Sequence, residues 1–302
     1  MYHLFLVNPT AGKSDRTEAI TAAAKKLCEA LGEPYEVKIS TARGDLTRMA
    51  REAGETGQEM RLYACGGDGT LNEVIAGAAE YENLSVTSIP CGSGNDYIKQ
   101  FDHPEAFFDM ENFKNVRTDR VDLMDVGGNL SANICSVGFD ARIGTSIDAY
   151  RRFPLLGGSR AYTASILVNL VKGVSKPCRV ELPDGQVFDE KMTLVCVCNG
   201  KWYGGGYNPV PTANNRDGIL DVLVVKKVSR LTVARVISAY QKGQYEKFPH
   251  LISYFKTDSI RIITPEKEPV NLDGELLMAK DITIKLLPGK LRFFSPTAAW
   301  DR

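Results

Sequence analysis

Along roughly the first 125 residues, short continuous apolar runs alternate with segments whose apolar positions recur every three or four residues. The runs Tyr2–Val7, Tyr35–Ile39, Met60–Ala64 and Ser85–Ile89 are expected strands. Between them, Ile20, Ala23, Leu27 and Leu31 share a helical face that stops at Gly32, and Leu46, Met49, Ala50 and Ala53 share another that stops at Gly54. Leu71, Val74, Ile75 and Ala78 form a third. This is the pattern of a parallel sheet covered by helices, in which ligands gather at the carboxyl ends of the strands.

From about Val121 the rhythm shortens to strand-like runs at Val121–Val126, Ser131–Val137, Arg179–Leu182, Met192–Cys198, Ile219–Val225, Ser259–Ile263 and Ile282–Leu286. Gly, Asn, Asp and Pro break them, as in an antiparallel sandwich. Two helical stretches interrupt, Ala161–Val171 and Leu231–Tyr240, the second with Leu231, Ala234, Val236, Ile237 and Tyr240 on one face. The expected fold class is α/β plus all-β. A Rossmann-like parallel-sheet nucleotide domain spans 1–126 and an antiparallel β-sandwich domain spans 127–290, with 291–302 returning to the first. No flexible linker separates them, which puts a site at their interface.

With 43% hydrophobic residues in 302, both halves can fill real cores. Lys plus Arg and Asp plus Glu balance at 37 each, so no basic field draws the chain to nucleic acid. No apolar run approaches the ~20 residues that cross a bilayer. Met1–Val7 has no basic leader and reads as strand rather than signal peptide, which points to the cytoplasm. Seven cysteines without paired spacing read as reduced core thiols, and His3, His103 and His250 carry no ligand motif.

Candidate chemistry collects where the expected strands end. Cys65–Glu73 reads CGGDGTLNE: three glycines around Asp68, between strand and helix, expose bare N–H groups to an anion. A carboxylate there repels phosphate unless a divalent cation lies between, as Mg²⁺–nucleotide sites require. A plain capped strand-to-helix turn is the alternative, and it needs fewer glycines. Asn8-Pro9-Thr10-Ala11-Gly12-Lys13-Ser14 follows the first strand. A P-loop needs glycine where Val7 stands, so the Walker assignment fails, yet Asn8, Thr10, Lys13 and Ser14 still supply donors and the helix near Thr17 supplies N–H groups. Pro90–Asp96 follows the fourth strand, with Gly92 and Gly94 opening space beside Ser93, Asn95 and Asp96. Val270–Glu275 sets Asp273 and Glu275 on either side of Gly274. Alone this is a hairpin turn, but phosphoryl transfer to an alcohol also needs a carboxylate base.

Together, Asn8-Pro9 to Lys13, Gly66–Glu73, Gly92–Asp96, Val137–Ala141, Asn199-Gly200, Asp217–Val222 and Asp273–Glu275 resemble, in order and spacing, the motifs of the diacylglycerol kinase catalytic family. That family includes bacterial soluble lipid kinases and the sphingosine and ceramide kinases, and the resemblance covers most of the chain. It implies a nucleotide-binding α/β domain joined to a β-sandwich domain, with ATP and Mg²⁺ between them. It also implies transfer of the γ-phosphoryl group to a lipid hydroxyl, that of diacylglycerol or a related lipid.

Carried over by position, the resemblance implies that Asn8, Thr10, Ala11, Gly12, Lys13, Ser14, Thr41, Gly66, Gly67, Asp68, Gly69, Thr70, Asn72 and Ser93 line the nucleotide. Asp68, Asp96 and Asp122 are implied as the acidic network at the catalytic metal, with Asp125 the alternative to Asp122. Glu275, with Asp273 beside it, is implied as the base for the lipid hydroxyl, although some relatives give that role to the position of Asp68. A second, structural Mg²⁺ is implied at Asp217 with the backbone oxygens of Asn214 and Ile219. One departure stands out: many bacterial relatives have Gly-Thr-Thr-Asn-Asp where this chain has Gly-Ser-Gly-Asn-Asp.

Two readings compete. NAD kinases share Gly-Gly-Asp-Gly-Thr but lack the Asn-Pro strand end and the Asp-Gly-Glu turn in these places. A non-catalytic lipid or nucleotide sensor on the same fold has no use for Asp68, Asp273 and Glu275. A lipid kinase must meet its substrate transiently at the inner face of the membrane. Arg151-Arg152-Phe153-Pro154-Leu155-Leu156, two cations before four apolar residues, is the expected peripheral contact. Trp202–Tyr207 reads either as a glycine-rich lip over the lipid cleft or as a packed loop. Which lipid is used and the oligomeric state, a homodimer included, stay open.

Overall fold

The computed structural model describes residues 1–92, 94–142 and 173–301. Ser93, the membrane contact expected at Arg151–Leu156 and the helix expected at Ala161–Val171 lie outside the described residues. Four strands, β1 (Tyr2–Val7), β2 (Tyr35–Ile39), β3 (Met60–Gly66) and β4 (Leu84–Pro90), pair parallel in the order β2-β1-β3-β4. Helices α1 (Thr17–Leu31), α2 (Asp45–Glu55) and α3 (Asp68–Ala78) connect them. β3 and β4 are buried along nearly their whole length, which is why they read as continuous apolar runs, whereas edge strand β2 is half-exposed. Gly32 ends α1 as expected, with a φ of 66° that only glycine adopts without cost. Gly54 does not end α2. It lies inside the helix, where a methyl would stand 2.2 Å from the Tyr81 ring, so its role is close packing.

Beyond β4 one sheet continues through β5 (Val116–Val126), β6 (Asn129–Ser131), β7 (Ile134–Gly138), β8 (Lys176–Glu181), β9 (Val187–Cys198), β10 (Leu220–Lys226), β11 (Ile252–Thr257), β12 (Ser259–Leu272) and β13 (Glu275–Pro296). β13 joins β4 by a single parallel bridge, Phe293 to Val86, and all pairs beyond it are antiparallel. The sheet is therefore mostly antiparallel, and the separate Rossmann-like sheet expected from the sequence reduces to a four-strand parallel wing of a larger sheet. The C-terminal half is β-rich. The runs expected at Ser259–Ile263 and Ile282–Leu286 grow to strands of 14 and 22 residues. A register shift between Ile263 and Glu268 absorbs the prolines and charges that read as a break.

One apolar cluster fills the parallel wing around Phe5, Leu62 and Tyr63, and β13 completes it with Leu291, Phe293 and Phe294. A second cluster uses the other end of the same strand, Ile282, Ile284 and Leu286. β5 divides likewise, with Val121 and Leu123 in the first and Met124 and Val126 in the second. These two strands staple the halves together. A third cluster lies under α4 (Arg230–Gln241), where Val233, Val236 and Tyr240 meet Ile134 and Phe139.

α2 and α3 touch at Gly77, where a methyl would lie 2.2 Å from the Thr47 carbonyl oxygen and 2.8 Å from Ala50 Cβ. Alanine gains about 1 kcal/mol of helix propensity, but overpacking against backbone costs roughly 1–3 kcal/mol. Gly77→Ala is thus expected to lower stability, by up to about 2 kcal/mol, in urea unfolding. A raised midpoint would show that the two helices do not meet this closely.

Candidate active site

The loops after β1, β3 and β4 and the β12–β13 hairpin converge on a cleft of about 770 Å³. Asn8, Ala11 and Gly12 come from the first loop, Gly67 to Glu73 from the second, Gly92, Gly94 and Asp96 from the third, and Asn271 and Asp273 to Leu276 from the hairpin. Glycines let these loops touch. A Cβ on Gly12 would stand 2.3 Å from the Cys91 carbonyl oxygen, one on Gly92 2.5 Å from Gly67 Cα, and one on Gly94 2.8 Å from Asp68 Oδ2. Gly94, where many relatives carry threonine, is therefore the residue that makes room for the Asp68 carboxylate in this chain. The Cys91 and Gly92 N–H groups both donate to the Gly66 carbonyl, at 2.7 and 3.2 Å, locking the second loop to the third.

α3 begins at Asp68, and no side chain caps its first turn. Its N–H groups and positive dipole end are left for an anion at the cleft, as the glycine run implied. Asn8 Nδ2 donates to Thr70 Oγ1 at 3.1 Å, tying the first loop to this turn. The start of α1 is different: Asp15 Oδ1 accepts the Thr17 N–H at 2.8 Å and the Thr17 hydroxyl at 2.6 Å, so a carboxylate already stands at the first N–H of that helix. The phosphate contact expected there is not supported.

Asp68 Oδ1 accepts the Tyr97 N–H at 3.1 Å. Burial first, then the charge of Asp96, push the Asp68 carboxyl up to about 6, against the smaller opposing effect of the Tyr97 N–H. Asp96 is itself buried, with Oδ1 2.5 Å from Lys99 Nζ and Oδ2 accepting the Gly205 N–H at 2.7 Å. That last bond draws the Trp202–Tyr207 turn into the cleft wall, which Tyr203, Gly204, Gly205 and Tyr207 help to form.

Asp273 and Gly274 make a two-residue hairpin turn, both with positive φ (50° and 95°), and Leu272 pairs with Glu275 across it. The turn reading and the site reading therefore coincide. Asp273 Oδ1 accepts the N–H groups of Asn133 (3.1 Å) and Ile134 (2.8 Å), while Oδ2 accepts the Ser131 hydroxyl (2.9 Å) and the Ala132 N–H (2.7 Å). Both oxygens are filled by donors that fix the hairpin on the β6–β7 connection. Glu275 is freer. Its Oε1 stands 3.5 Å from where a side chain on Gly69, the residue after Asp68, would begin, and Oε2 pairs with the exposed guanidinium of Arg43.

Other expected site residues fall elsewhere. Thr10, Lys13, Ser14, Thr41 and Gly66 do not line the cleft. Thr10 donates to Asn8 Oδ1, and the Thr41 hydroxyl and N–H donate to Asp45, whose carboxyl they hold down to about 2. Gly66 is packed beneath Thr70, where a Cβ would meet Oγ1 at 2.1 Å. Asp122 does not join Asp68 and Asp96. Its buried carboxylate accepts the N–H groups of Gly218 (2.9 Å) and Gly289 (2.7 Å), so it anchors two turns. Its alternative, Asp125, accepts the Gly128 N–H at the end of β5. Asp217 accepts the Ile219 N–H at 3.1 Å and donates its own N–H to the Asn214 carbonyl at 3.4 Å, a closed turn resting on Asp122 and away from the cleft. Arg43, Asp140 and Tyr240 were not singled out as site residues by the sequence. Arg43 follows no glycine motif, Asp140 lay in a motif without an assigned role, and Tyr240 counted only as an apolar position.

Among the described residues no group of three or more His, Cys, Asp or Glu side chains is disposed to hold a metal ion. The donor set nevertheless fits Mg²⁺ brought with a nucleotide, which takes one or two carboxylates and fills its octahedron with phosphate oxygens and water. Asp68 offers Oδ2, and Asp96 sits beside it. An acidic cage of Asp68, Asp96 and Asp122 is not what the chain builds.

Without a cation the charged form of Asp68 is disfavoured in the folded state. Its folded value of about 6 lies above the unfolded 3.8, so stability is lost as pH rises from about 4 through 6. Asp68→Asn is expected to stabilise the ligand-free protein at pH 7 by roughly 3 kcal/mol and to make little difference near pH 4. Thermal unfolding across that range checks this, and a gain independent of pH would contradict it.

Residues 3–127 match the model of the diacylglycerol kinase catalytic domain, and residues 133–295 match that of the YegS C-terminal NAD kinase beta sandwich-like domain. A "Probable lipid kinase YegS-like" of Chromohalobacter salexigens is 29% identical over 292 residues, covering 94% of this chain and 91% of that one. The "Diacylglycerol kinase" of Bacillus subtilis is 27% identical over 279 residues, covering 89% and 88%. A crystal structure of a candidate diacylglycerol kinase from Bacillus anthracis superimposes with a TM-score of 0.77 at 26% identity over 98% of this chain and 97% of its own. The cleft, its motifs and both halves of the fold thus point the same way: this chain belongs to the diacylglycerol kinase family, as a lipid kinase of the YegS-like, two-part form.

Proposed function

We propose that this lipid kinase moves the γ-phosphoryl group of ATP, bound with Mg²⁺, to the hydroxyl of a lipid, diacylglycerol or a relative of it. The observation that carries the reading is the position of Glu275, which projects from the far half of the molecule over Gly69, the residue that follows Asp68, in the same cleft. Gly67, Gly69 and Thr70 at the open end of α3, with Asn8 and Gly12, form the phosphate side. Bound Mg²⁺ would neutralise the charge between Asp68, Asp96 and the phosphates. The lipid oxygen attacks the γ-phosphorus, ADP leaves, and Glu275 accepts the hydroxyl proton. Arg43 must leave Glu275 for that, and as an exposed cation at the cleft mouth it can turn to the phosphates instead. Asp273 is assigned to holding the hairpin in register, because its oxygens have no lone pair left for a substrate proton.

The lipid is reached at the inner face of the membrane by transient contact. Among the described residues no helix is long and apolar enough to cross a bilayer. Removing the base while keeping its shape is the direct test. Glu275→Gln is expected to lower kcat for lipid phosphorylation by about 10²–10⁴-fold while ATP still binds. Full turnover in that variant, or phosphorylation of NAD and of no lipid by the unaltered protein, would overturn the proposal.

A further inference from the structure

Six carboxylates, those of Asp68, Glu73, Asp96, Asp140, Asp273 and Glu275, line the cleft, and among the described residues no lysine or arginine does. A triphosphate placed there needs positive charge beyond its own Mg²⁺, above all at the γ-phosphate, whose oxygens carry the charge of the phosphoryl group as it moves. Cations reach the lining through its carboxylates: Lys99 is held on Asp96, and Arg43 on Glu275 at the mouth. Lys99 lies three residues from its partner, whereas Arg43 crosses from the parallel wing to the hairpin of the other half.

The Arg43 backbone is pinned on both sides. Asp45 Oδ2 accepts the Thr41 N–H (2.8 Å), the Thr41 hydroxyl (2.8 Å) and the Ala42 N–H (3.0 Å), and Glu73 Oε2 accepts the Gly44 N–H (3.0 Å). Glu73 stands on α3, so the β2–α2 connection is fixed against the helix whose N-terminus faces the phosphate side. The side chain is the opposite. It is 79% exposed, and Glu275 is its sole hydrogen-bond partner among the described residues.

The way from Glu275 to the phosphates is short. One oxygen of its carboxylate carries Arg43, and the other stands 3.5 Å from where a side chain on Gly69, in the first turn of α3, would begin. Arg43 is therefore one carboxylate's width from the open end of that helix. A base that takes the proton of the attacking hydroxyl lies a hydrogen bond from the oxygen that meets the γ-phosphorus. A guanidinium on the second oxygen of that base is within a side-chain rotation of the γ-phosphate.

We propose that Arg43 is the phosphoryl clamp of this kinase and that it works by exchange. In the free protein and with ADP its guanidinium holds Glu275. When the triphosphate enters, it leaves Glu275 for two oxygens of the γ-phosphate, and the same movement releases the carboxylate to take the substrate proton. The base is thus free only when there is a phosphoryl group to transfer. This rests on the lipid kinase reading and deepens it. Guanidinium geometry favours the exchange, because its planar fork donates to two phosphate oxygens at once, whereas an ion pair as exposed as Arg43–Glu275 holds weakly.

Titration calorimetry of Mg²⁺–ADP and of the β,γ-imido analogue of Mg²⁺–ATP against the unaltered protein, Arg43→Gln, Glu275→Gln and the double variant tests this. It is run beside phosphorylation of 1,2-dioleoylglycerol, 1-oleoylglycerol and sphingosine in mixed micelles, with thermal unfolding to check that each variant is folded. Arg43→Gln is expected to weaken the analogue by about threefold or more and to leave ADP nearly unchanged. With Glu275 already Gln the same substitution should cost the analogue about tenfold or more, because no ion pair then has to be broken. For the lipid used fastest, Arg43→Gln should lower kcat by about 10²-fold with KM for the lipid unchanged. If Arg43 instead stays on Glu275, removing it bares that carboxylate, and its cost to the analogue is largest with Glu275 in place and small in Glu275→Gln. That pattern, equal losses of ADP and analogue, or undiminished kcat in Arg43→Gln would overturn the inference and leave the kinase reading standing. Phosphorylation of none of the three lipids by the unaltered protein would remove both.

Discussion

The burial of the Asp68 carboxylate, with Asp96 beside it, is the constraint around which the site is built. Two carboxylates are brought together where water is scarce, at a cost visible in the upward shift of Asp68. The chain offsets part of it with the Lys99 ammonium and the N–H groups of Tyr97 and Gly205. What remains is a site that gains from a divalent cation, and a nucleotide carries one. The glycines serve the same end: Gly12, Gly67, Gly92 and Gly94 allow backbone against backbone, or backbone against carboxylate, where any side chain would hold the loops apart.

Chemistry at such a site needs a partner group from outside the nucleotide-binding wing, and the fold supplies it through two shared strands. β5 and β13 each place residues in both of the larger apolar clusters, so the two halves are fixed relative to each other by buried area rather than by a hinge. At the start of β13 the Asp273-Gly274 turn aims Glu275 at Gly69. Asp273 sets that aim by filling its carboxylate with four donors from residues 131–134. A carboxylate bonded in this way serves orientation, which leaves the adjacent Glu275 as the base we propose.

The parallel wing was legible in the sequence because buried strands leave continuous apolar runs: β1 and β2 start and stop where the runs do. The extent of the antiparallel part was not. β12 and β13 pass through prolines and charges at a register shift, and β11, Ile252–Thr257, is half-exposed and carries no strong period. In the site, most residues named for a local motif arrived in the cleft, Asn8, Ala11, Gly12, Gly67, Asp68, Gly69, Thr70, Asn72, Asp96, Asp273 and Glu275 among them, while Thr10, Lys13, Ser14 and Gly66 of the same loops did not. Asp122 and Thr41, whose places depend on other partners, did not either. Asp122 lies on the turns at Gly218 and Gly289, and Thr41 is bonded to Asp45, pairings that spacing alone does not reveal. The Arg43–Glu275 and Tyr203–Tyr240 contacts were invisible for the same reason, since each joins residues far apart in the chain.

The most direct test is a titration of the Asp68 carboxyl by ¹³C NMR, without ligand and then with Mg²⁺ and a non-hydrolysable ATP analogue. The account predicts an apparent pKa near 6 in the free protein, falling well into the ordinary carboxylate range or below once the metal-bound triphosphate is in place. If the nucleotide binds and Asp68 titrates as before, the metal and phosphates lie elsewhere, and the cleft described here is not where the phosphoryl group is transferred.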